Sequence, residues 1–173
     1  MNKILFKING LKRPSNSLKA RVLLFINKIP IVRNLGFIKK MLCKNFKMPL
    51  STSFNSGFYC SSSYLDLGEN VGIADTYILA YAQVTIGNNC SFSFRNMIIT
   101  SSHDLGDFST IIASPITIGN NVWITTNVTI LGGVTIGDNS VIGAGSIVTK
   151  DIPSGVFASG NPCKVIKKIE FYK

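Results

Sequence analysis

Aliphatic side chains recur every six residues through the second half of the chain. From Ile116 the sequence divides into the units ITIGNN, VWITTN, VTILGG, VTIGDN, SVIGAG and SIVTKD, and the third position of every unit is Ile or Val. The same spacing relates two upstream sets, Ile86, Phe92 and Ile98, and Leu67, Ile73 and Leu79. A period of six contains three strand alternations and does not fit a helix. Each unit is therefore predicted to be one short strand followed by one tight turn.

Three such units make one triangular coil, in which the aliphatic residue points inward and stacks on its copies in neighbouring coils. Small residues and Gly-Asn, Gly-Asp or Asn-Asn steps occupy the corners, where a positive φ is often required. Each coil contacts only its neighbours. The pattern predicts an all-β solenoid.

The six-residue register breaks between Ile98 and Ile118, in a stretch that contains SSHDLGDFST. His103, the only histidine of the chain, lies there. Histidine is the usual general base near neutral pH, and a loop that leaves the coil can carry polar chemistry without disturbing the ladder. Asp104 either assists this histidine, by orienting it or by binding an acceptor, or caps a turn.

The repeats and this loop resemble the hexapeptide-repeat acyltransferases, in the branch of the maltose, galactoside and bacterial polysaccharide O-acetyltransferases. The resemblance covers about residues 66–168 and is carried by SSHDLGDF, by PITIGNNVWI and by the closing ASGNPCKVIKKI. It implies a left-handed parallel β-helix and a homotrimer. It also implies acetyl transfer from acetyl-CoA to a hydroxyl of a sugar or glycan in surface polysaccharide biosynthesis, with His103 as the base in a cleft between subunits.

The same resemblance implies a set of residues that bind CoA. Thr126 and Ala144 are expected along the pantetheine arm, and Thr149 and Lys150 in the last coil. The phosphates of CoA need cations, and Lys164 and Lys167 are expected near them. Trp123 completes the set, and it either lines the cleft or packs against the next subunit. Two features depart from the family. Thr125-Thr126 follows VWI where Gly-Ala or Gly-Ser is usual, and GIADTYILAYAQ lacks the Asn and paired Asp that hold the acceptor in the maltose and galactoside branch.

The net charge of +10 belongs to the N-terminal third, because residues 1–65 hold twelve Lys and Arg and no acid. Two helices are predicted there, separated by Pro30. The first runs from a Ser17 N-cap to Ile29, and its predicted apolar face consists of Leu18, Val22, Phe25, Ile26 and Ile29. The second has Leu35, Ile38 and Leu42 with Lys39, Lys40 and Lys44 between them. These helices either dock on the anionic inner leaflet of the membrane or pack on the base of the solenoid.

Composition excludes several other classes. One histidine and four scattered cysteines complete neither a zinc site nor the three-histidine site of a γ-type carbonic anhydrase, so no metal is expected. The cysteines are interpreted as buried thiols in a reducing cytoplasm. The residues predict neither a membrane span nor a secretory signal, and no recognised nucleic-acid motif accompanies the charge.

The predicted organisation has three parts. Residues 1–50 form a basic helical extension, residues 51–160 the β-helix with a loop at about 101–114, and residues 161–173 a C-terminal segment on the CoA side. A non-catalytic β-helix scaffold or membrane-docking subunit is the alternative to the enzyme.

Overall fold

The computed structural model describes residues 3–7, 13–29 and 35–170. Most of this chain winds through three parallel β-sheets in turn, with one strand per sheet in each coil. Sheet 1 contains β4 (Leu65–Leu67), β7 (Val84–Ile86), β12 (Ile116–Ile118) and β15 (Thr135–Ile136). Sheet 2 contains β2 (Ser53–Phe54), β5 (Gly72–Ala74), β8 (Ser91–Phe92), β13 (Trp123–Ile124), β16 (Val141–Ile142), β18 (Val156–Ser159) and the antiparallel β19 (Lys164–Lys168). Sheet 3 contains β3 (Tyr59–Cys60), β6 (Tyr77–Leu79), β9 (Met97–Ile99), β14 (Thr129–Leu131) and β17 (Ile147–Val148).

The predicted aliphatic ladder forms the core of the solenoid. In sheet 1, Ile118 pairs in register with Ile86 on one side and with Ile136 on the other. All three side chains are buried, as are the corresponding residues of the other two sheets from Phe92 onward. Apolar burial is therefore repeated coil by coil, and each aliphatic residue packs on its neighbours above and below.

One predicted ladder position is wrong. The six-residue count places Leu79 in the core, but Ile78 is fully buried there and Leu79 is only partly buried. The coil is shortened by one residue at its second corner, where Ala74 has a φ of 46° and the Thr76 hydroxyl donates to the Ile73 carbonyl. In strands a shift of one residue exchanges the inward and outward faces. Ile78 accordingly pairs with Cys60 and Ile98.

Asparagines close the corner between sheets 1 and 2. Asn70, Asn89, Asn121 and Asn139 have φ values of 54–59°, a conformation that asparagine tolerates better than most residues. Their side-chain amides form a ladder, in which each donates to the next at 2.9–3.3 Å. The predicted positive-φ corners are thus present and cross-linked from coil to coil.

In the described part of the chain, two helices cover the first coil, α1 (Leu18–Ile26) and α2 (Gly36–Phe46). The predicted Ser17 N-cap is confirmed, since its side chain accepts from the Ala20 amide at 3.2 Å. Of the predicted apolar face of α1, Ile26 packs against the core, whereas the other four residues are exposed. The residues that α1 buries are Ala20, Leu23 and Leu24. Helix α1 has apolar residues on two sides, and only the side with these three residues contacts the solenoid base.

The second helix follows its predicted pattern more closely. Ile38 and Leu42 are buried together with Cys43 and Phe46, whereas Leu35 is exposed. Buried residues of both helices belong to the same core cluster as Phe58 and Cys60 of the first coil. The helices therefore do pack on the base of the solenoid. Pro30, the predicted break between them, lies outside the described residues.

A short antiparallel sheet replaces the irregular loop expected at about 101–114. It pairs β11 (Thr110–Ala113) with β10 (Ser101–His103) on one side and with β1 (Ile4–Lys7) on the other. The N-terminal strand was not predicted. Its local signal is one short apolar stretch, and its pairing partner lies about a hundred residues further along the chain.

Neither α1 nor α2 is long and apolar enough to cross a membrane, and the described residues include no other helix that is. The four cysteines are unpaired and buried, as predicted. In the described ranges, no three His, Cys, Asp or Glu side chains converge in a way that could hold a metal ion.

Candidate active site

His103 ends strand β10 and its side chain is exposed. Its Nδ1 lies 2.8 Å from the backbone carbonyl oxygen of Phe108, on the other side of the turn. A carbonyl oxygen can only accept a hydrogen bond, so in the neutral ring Nδ1 carries the proton. Nε2 then has a free lone pair and faces away from this contact. The loop thus holds the imidazole in the tautomer that a general base needs.

Asp104 is engaged with the turn itself. Its Oδ1 accepts hydrogen bonds from the amides of Gly106, at 2.8 Å, and Asp107, at 3.1 Å. These contacts correspond to the turn-capping alternative. A catalytic part for Asp104 stays a prediction.

Asp107 organises the tip of the loop. Its carboxylate accepts from the Ser109 amide at 3.0 Å, from the Ser109 hydroxyl at 2.6 Å and from the Thr110 hydroxyl. Lys7 of strand β1 donates to the same carboxylate at 2.6 Å. The Lys7 contact, followed by the hydroxyl contacts, holds the pKa of Asp107 well below its ordinary value. This ion pair thus holds the segment that presents the Phe108 carbonyl to His103 against strand β1.

Sequence reasoning missed both the Phe108 carbonyl and Lys7. Every residue has a backbone carbonyl, so no residue type marks the one that faces a histidine. The lysine belongs to the basic N-terminal third, and the charge count did not distinguish it from its neighbours. Only the pairing of β1 with β11 brings it to the loop.

A cavity of about 310 Å³ opens beside the loop. It is lined by Ser101 and Ser102, which precede His103, and by Gly132, Lys3 and the predicted cofactor residue Thr149. Gly132 leaves the space that a side chain would fill, since a Cβ there would lie 2.6 Å from the Thr100 carbonyl oxygen. Lys150 is exposed at the same corner. The structure therefore places Thr149 near the His103 loop.

Thr126 and Ala144 lie at a different corner, the one between sheets 2 and 3. They occupy equivalent positions in successive coils, and the Gly145 amide donates to the Thr126 carbonyl at 3.0 Å. Ala144 is exposed and Thr126 partly so. The pair thus lies along one edge of the solenoid, separated from the Thr149 corner by the width of sheet 3.

The remaining candidates lie on the outer face of sheet 2. Trp123 is 50% exposed. It begins a row of in-register residues on neighbouring strands, which continues through Val141 and Phe157 to Lys167. Strands are about 4.8 Å apart, so this row spans roughly 14 Å. Lys164 is exposed on the same last strand. Within one chain, the predicted cofactor residues are thus divided between the sheet 2 side and the corner that carries the His103 loop.

Comparison with known proteins agrees with this architecture. Residues 115–150 match the family described as bacterial transferase hexapeptide (six repeats). The chain is 44% identical over 125 residues to galactoside O-acetyltransferase of Escherichia coli K12, a match that covers 70% of this chain and 59% of that protein. The aligned part is thus less than two thirds of this curated relative.

Solved structures match over more of their length. A maltose O-acetyltransferase from Clostridium difficile 630 superposes with a TM-score of 0.78 at 32% identity, over 88% of this chain and 85% of that one. A galactoside acetyltransferase in complex with coenzyme A gives a TM-score of 0.74 at 34% identity, over 88% and 80% of the two chains. These similarities confirm the predicted left-handed parallel β-helix with a small helical part. The chain belongs to the hexapeptide-repeat acyltransferase family, in the branch that includes the galactoside and maltose O-acetyltransferases.

Proposed function

We propose that this protein transfers an acetyl group from acetyl-CoA to a hydroxyl of a sugar. The observation that carries the proposal is the orientation of His103, whose Nδ1 contacts the Phe108 carbonyl and whose Nε2 is left as a base on an exposed loop. A sugar hydroxyl is a poor nucleophile near neutral pH, and an imidazole in this tautomer can take its proton. The names of the relatives support acetyl transfer to a sugar, and one of them is described in complex with coenzyme A.

The reaction balances without a metal or a redox partner. The hydroxyl proton passes to Nε2 of His103, and the oxygen forms a bond to the thioester carbonyl carbon. The carbon–sulfur bond then breaks, and the CoA thiolate leaves with the proton returned by the imidazolium. A backbone amide is expected to hold the oxyanion between these steps.

We also propose a homotrimer, in which the CoA groove lies between adjacent chains. The division of the candidate residues supports it. His103 and Thr149 lie at one corner of the prism, whereas Thr126, Ala144 and Trp123 lie at another corner and its adjoining face. A neighbouring subunit that presents its second corner to the first would complete one site. Light scattering of the purified protein tests the trimer directly.

The decisive experiment compares the wild type with His103→Asn in a thiol-release assay with acetyl-CoA and a panel of sugars, with mass spectrometry of the acetylated product. Loss of a general base is expected to lower kcat by about 10²–10⁴-fold. The matched control is Thr117→Ala, an exposed residue of sheet 1 outside the candidate site, which is expected to retain wild-type turnover. Turnover by both proteins at the same rate would remove His103 from the mechanism. Equal, undetectable turnover over the whole panel would favour the scaffold alternative.

The proposed acceptor is a sugar of a surface polysaccharide, acetylated in the cytoplasm. The segment GIADTYILAYAQ lacks the Asn and paired Asp that hold the acceptor in the maltose and galactoside branch, which supports a larger glycan over a free disaccharide as acceptor. Mass spectrometry of the surface glycan from cells with and without this protein would test the assignment. Glycans with identical acetylation in both would contradict it.

Lys164 and Lys167 are proposed at the CoA phosphates because both are exposed on β19, the strand that closes sheet 2. Their replacement by glutamine is expected to raise the KM for acetyl-CoA by roughly tenfold per lost charged contact, with kcat little changed. An unchanged KM would place the phosphates elsewhere.

A further inference from the structure

Helix α1 has an apolar face that is largely exposed among the described residues. Successive residues are about 100° apart around a helix axis, so Leu18, Val22 and Phe25 share one side, opposite the buried Ala20, Leu23 and Leu24. Their side chains are 78%, 48% and 68% exposed, respectively. Single exposed apolar residues are ordinary, but a stripe at the i, i+4, i+7 spacing marks an interaction surface.

Helix α2 repeats this arrangement. It buries Ile38, Leu42 and Phe46 in the core cluster. On its other side Phe37 and Met41 are exposed. Since both helices pack on the same solenoid base, their outward faces together form the outside of the helical cap. We call this surface the cap face.

Cations surround the apolar residues of the cap face. Lys19, Arg21 and Lys28 are exposed on or next to α1, and Lys40 and Lys44 are exposed on the outer side of α2. Residues 1–65 contain no acid. Among the described residues the only salt bridge is that between Lys7 and Asp107, on the distant loop. Among the described residues, then, no recorded salt bridge involves a cation of the cap face.

We propose that the cap face docks on the surface of an anionic phospholipid bilayer. Leu18, Val22 and Phe25 would enter the boundary between headgroups and acyl chains, while the lysines and Arg21 contact the lipid phosphates. An amphipathic helix with basic residues beside an apolar stripe binds membranes in this way, lying in the plane of the interface. Neither cap helix can span a bilayer, which is consistent with a peripheral attachment.

Charge complementarity favours lipid over a second copy of the chain. A symmetric contact between two cap faces would bring the lysines of both copies together, with no acid in residues 1–65 to pair with them. Like charges at short distance oppose such a contact. Anionic headgroups provide the missing counter-charge and an apolar layer beneath it.

The test is sedimentation of the full chain with vesicles of phosphatidylcholine alone and of an equal mixture with phosphatidylglycerol. The wild type is expected to bind the mixed vesicles. Salt is expected to release part of the bound protein, because exposed ionic contacts with lipid are screened. Lys40→Gln with Lys44→Gln is expected to weaken binding by about 25-fold, roughly fivefold per cation. Val22→Ser with Phe25→Ser is expected to weaken it by at least about tenfold. Thermal melting and light scattering of each variant verify that fold and oligomer are retained.

Matched controls use the last strand of the solenoid. Lys167→Gln with Lys168→Gln removes the same charge, and Val165→Ser with Ile166→Ser removes similar exposed apolar groups. Both controls are expected to bind vesicles within about twofold of the wild type. Absence of wild-type binding to the mixed vesicles, or equal weakening by cap and control variants, would overturn the proposal. A changed molar mass for Val22→Ser with Phe25→Ser would overturn it too, because another copy of the chain would then cover the cap face.

Discussion

Replacing Ile78 by alanine is expected to destabilise the protein much more than replacing Leu79 by alanine. Both changes remove three carbons, so the difference between them reports mainly the difference in burial. Ile78 is fully buried between Cys60 and Ile98. Leu79 lines a surface cavity with Arg21 and is only partly buried.

The magnitude follows from the carbons removed. At about 0.8 kcal/mol for each fully buried carbon, with an added contribution from the residual cavity, Ile78→Ala is expected to lower the free energy of unfolding by about 3–4 kcal/mol. Leu79→Ala is expected to lower it by about 1 kcal/mol, because part of its side chain is already in water. For a chain of this size these values correspond to roughly 6–15 °C and 2–4 °C in Tm.

The assay is thermal and urea unfolding followed by far-ultraviolet circular dichroism. All variants are compared at one chain concentration, since association of subunits contributes to apparent stability. Equal losses for the two variants, or a larger loss for Leu79→Ala, would refute the assigned register. The strict six-residue count would then describe this coil better than the structure does.

Three further predictions concern a corner, a loop and a thiol. Gly119→Ala is expected to lower the free energy of unfolding by about 1–3 kcal/mol, because its Cβ would lie 2.9 Å from the Asp138 backbone nitrogen and closer still to the Asp138 carboxylate; urea unfolding measures the loss. Lys7 depresses the pKa of Asp107. The ion pair that attaches β1 to the loop is therefore complete above the ordinary carboxyl pKa, and it is lost as the pH falls through the depressed pKa. Amide exchange of β1, corrected for the intrinsic pH dependence of exchange, is expected to accelerate at low pH. Burial raises the pKa of Cys60 to about 11, so a disulfide reagent at neutral pH is expected to leave this thiol unmodified until the protein is unfolded.

The first two of these predictions have a control variant. Gly36→Ala adds a Cβ with no atom within 4 Å and is expected to be neutral or slightly stabilising; a comparable loss there would mean that the contact with Asp138 is not the cause. Asp107→Asn is expected to loosen β1 at neutral pH and to abolish the acid-dependent step. An unchanged step in that variant would assign it to another group. Rapid labelling of Cys60 in the native protein would contradict its burial.

Periodicity by itself was enough to predict the solenoid. Each ladder position needs only an aliphatic residue every six positions and a residue that tolerates a tight corner, and both requirements are visible in the residue types. The same regularity drew attention to His103, because a break in a strict repeat marks a segment that does not belong to the repeated coil. Family resemblance then added the predicted cofactor residues, of which Thr149 lies at the His103 corner and Thr126 at another.

Tertiary structure decided what periodicity cannot express. Helix α1 is apolar on two sides, and only contact with the solenoid base selects Leu23 over Phe25 for the core. The pairing of β1 with β11 joins Lys7 to Asp107 across about a hundred residues of chain, a distance over which local patterns carry no information. Sequence thus determines which faces could be buried, whereas the partner that covers one of them is settled only when the whole chain has folded.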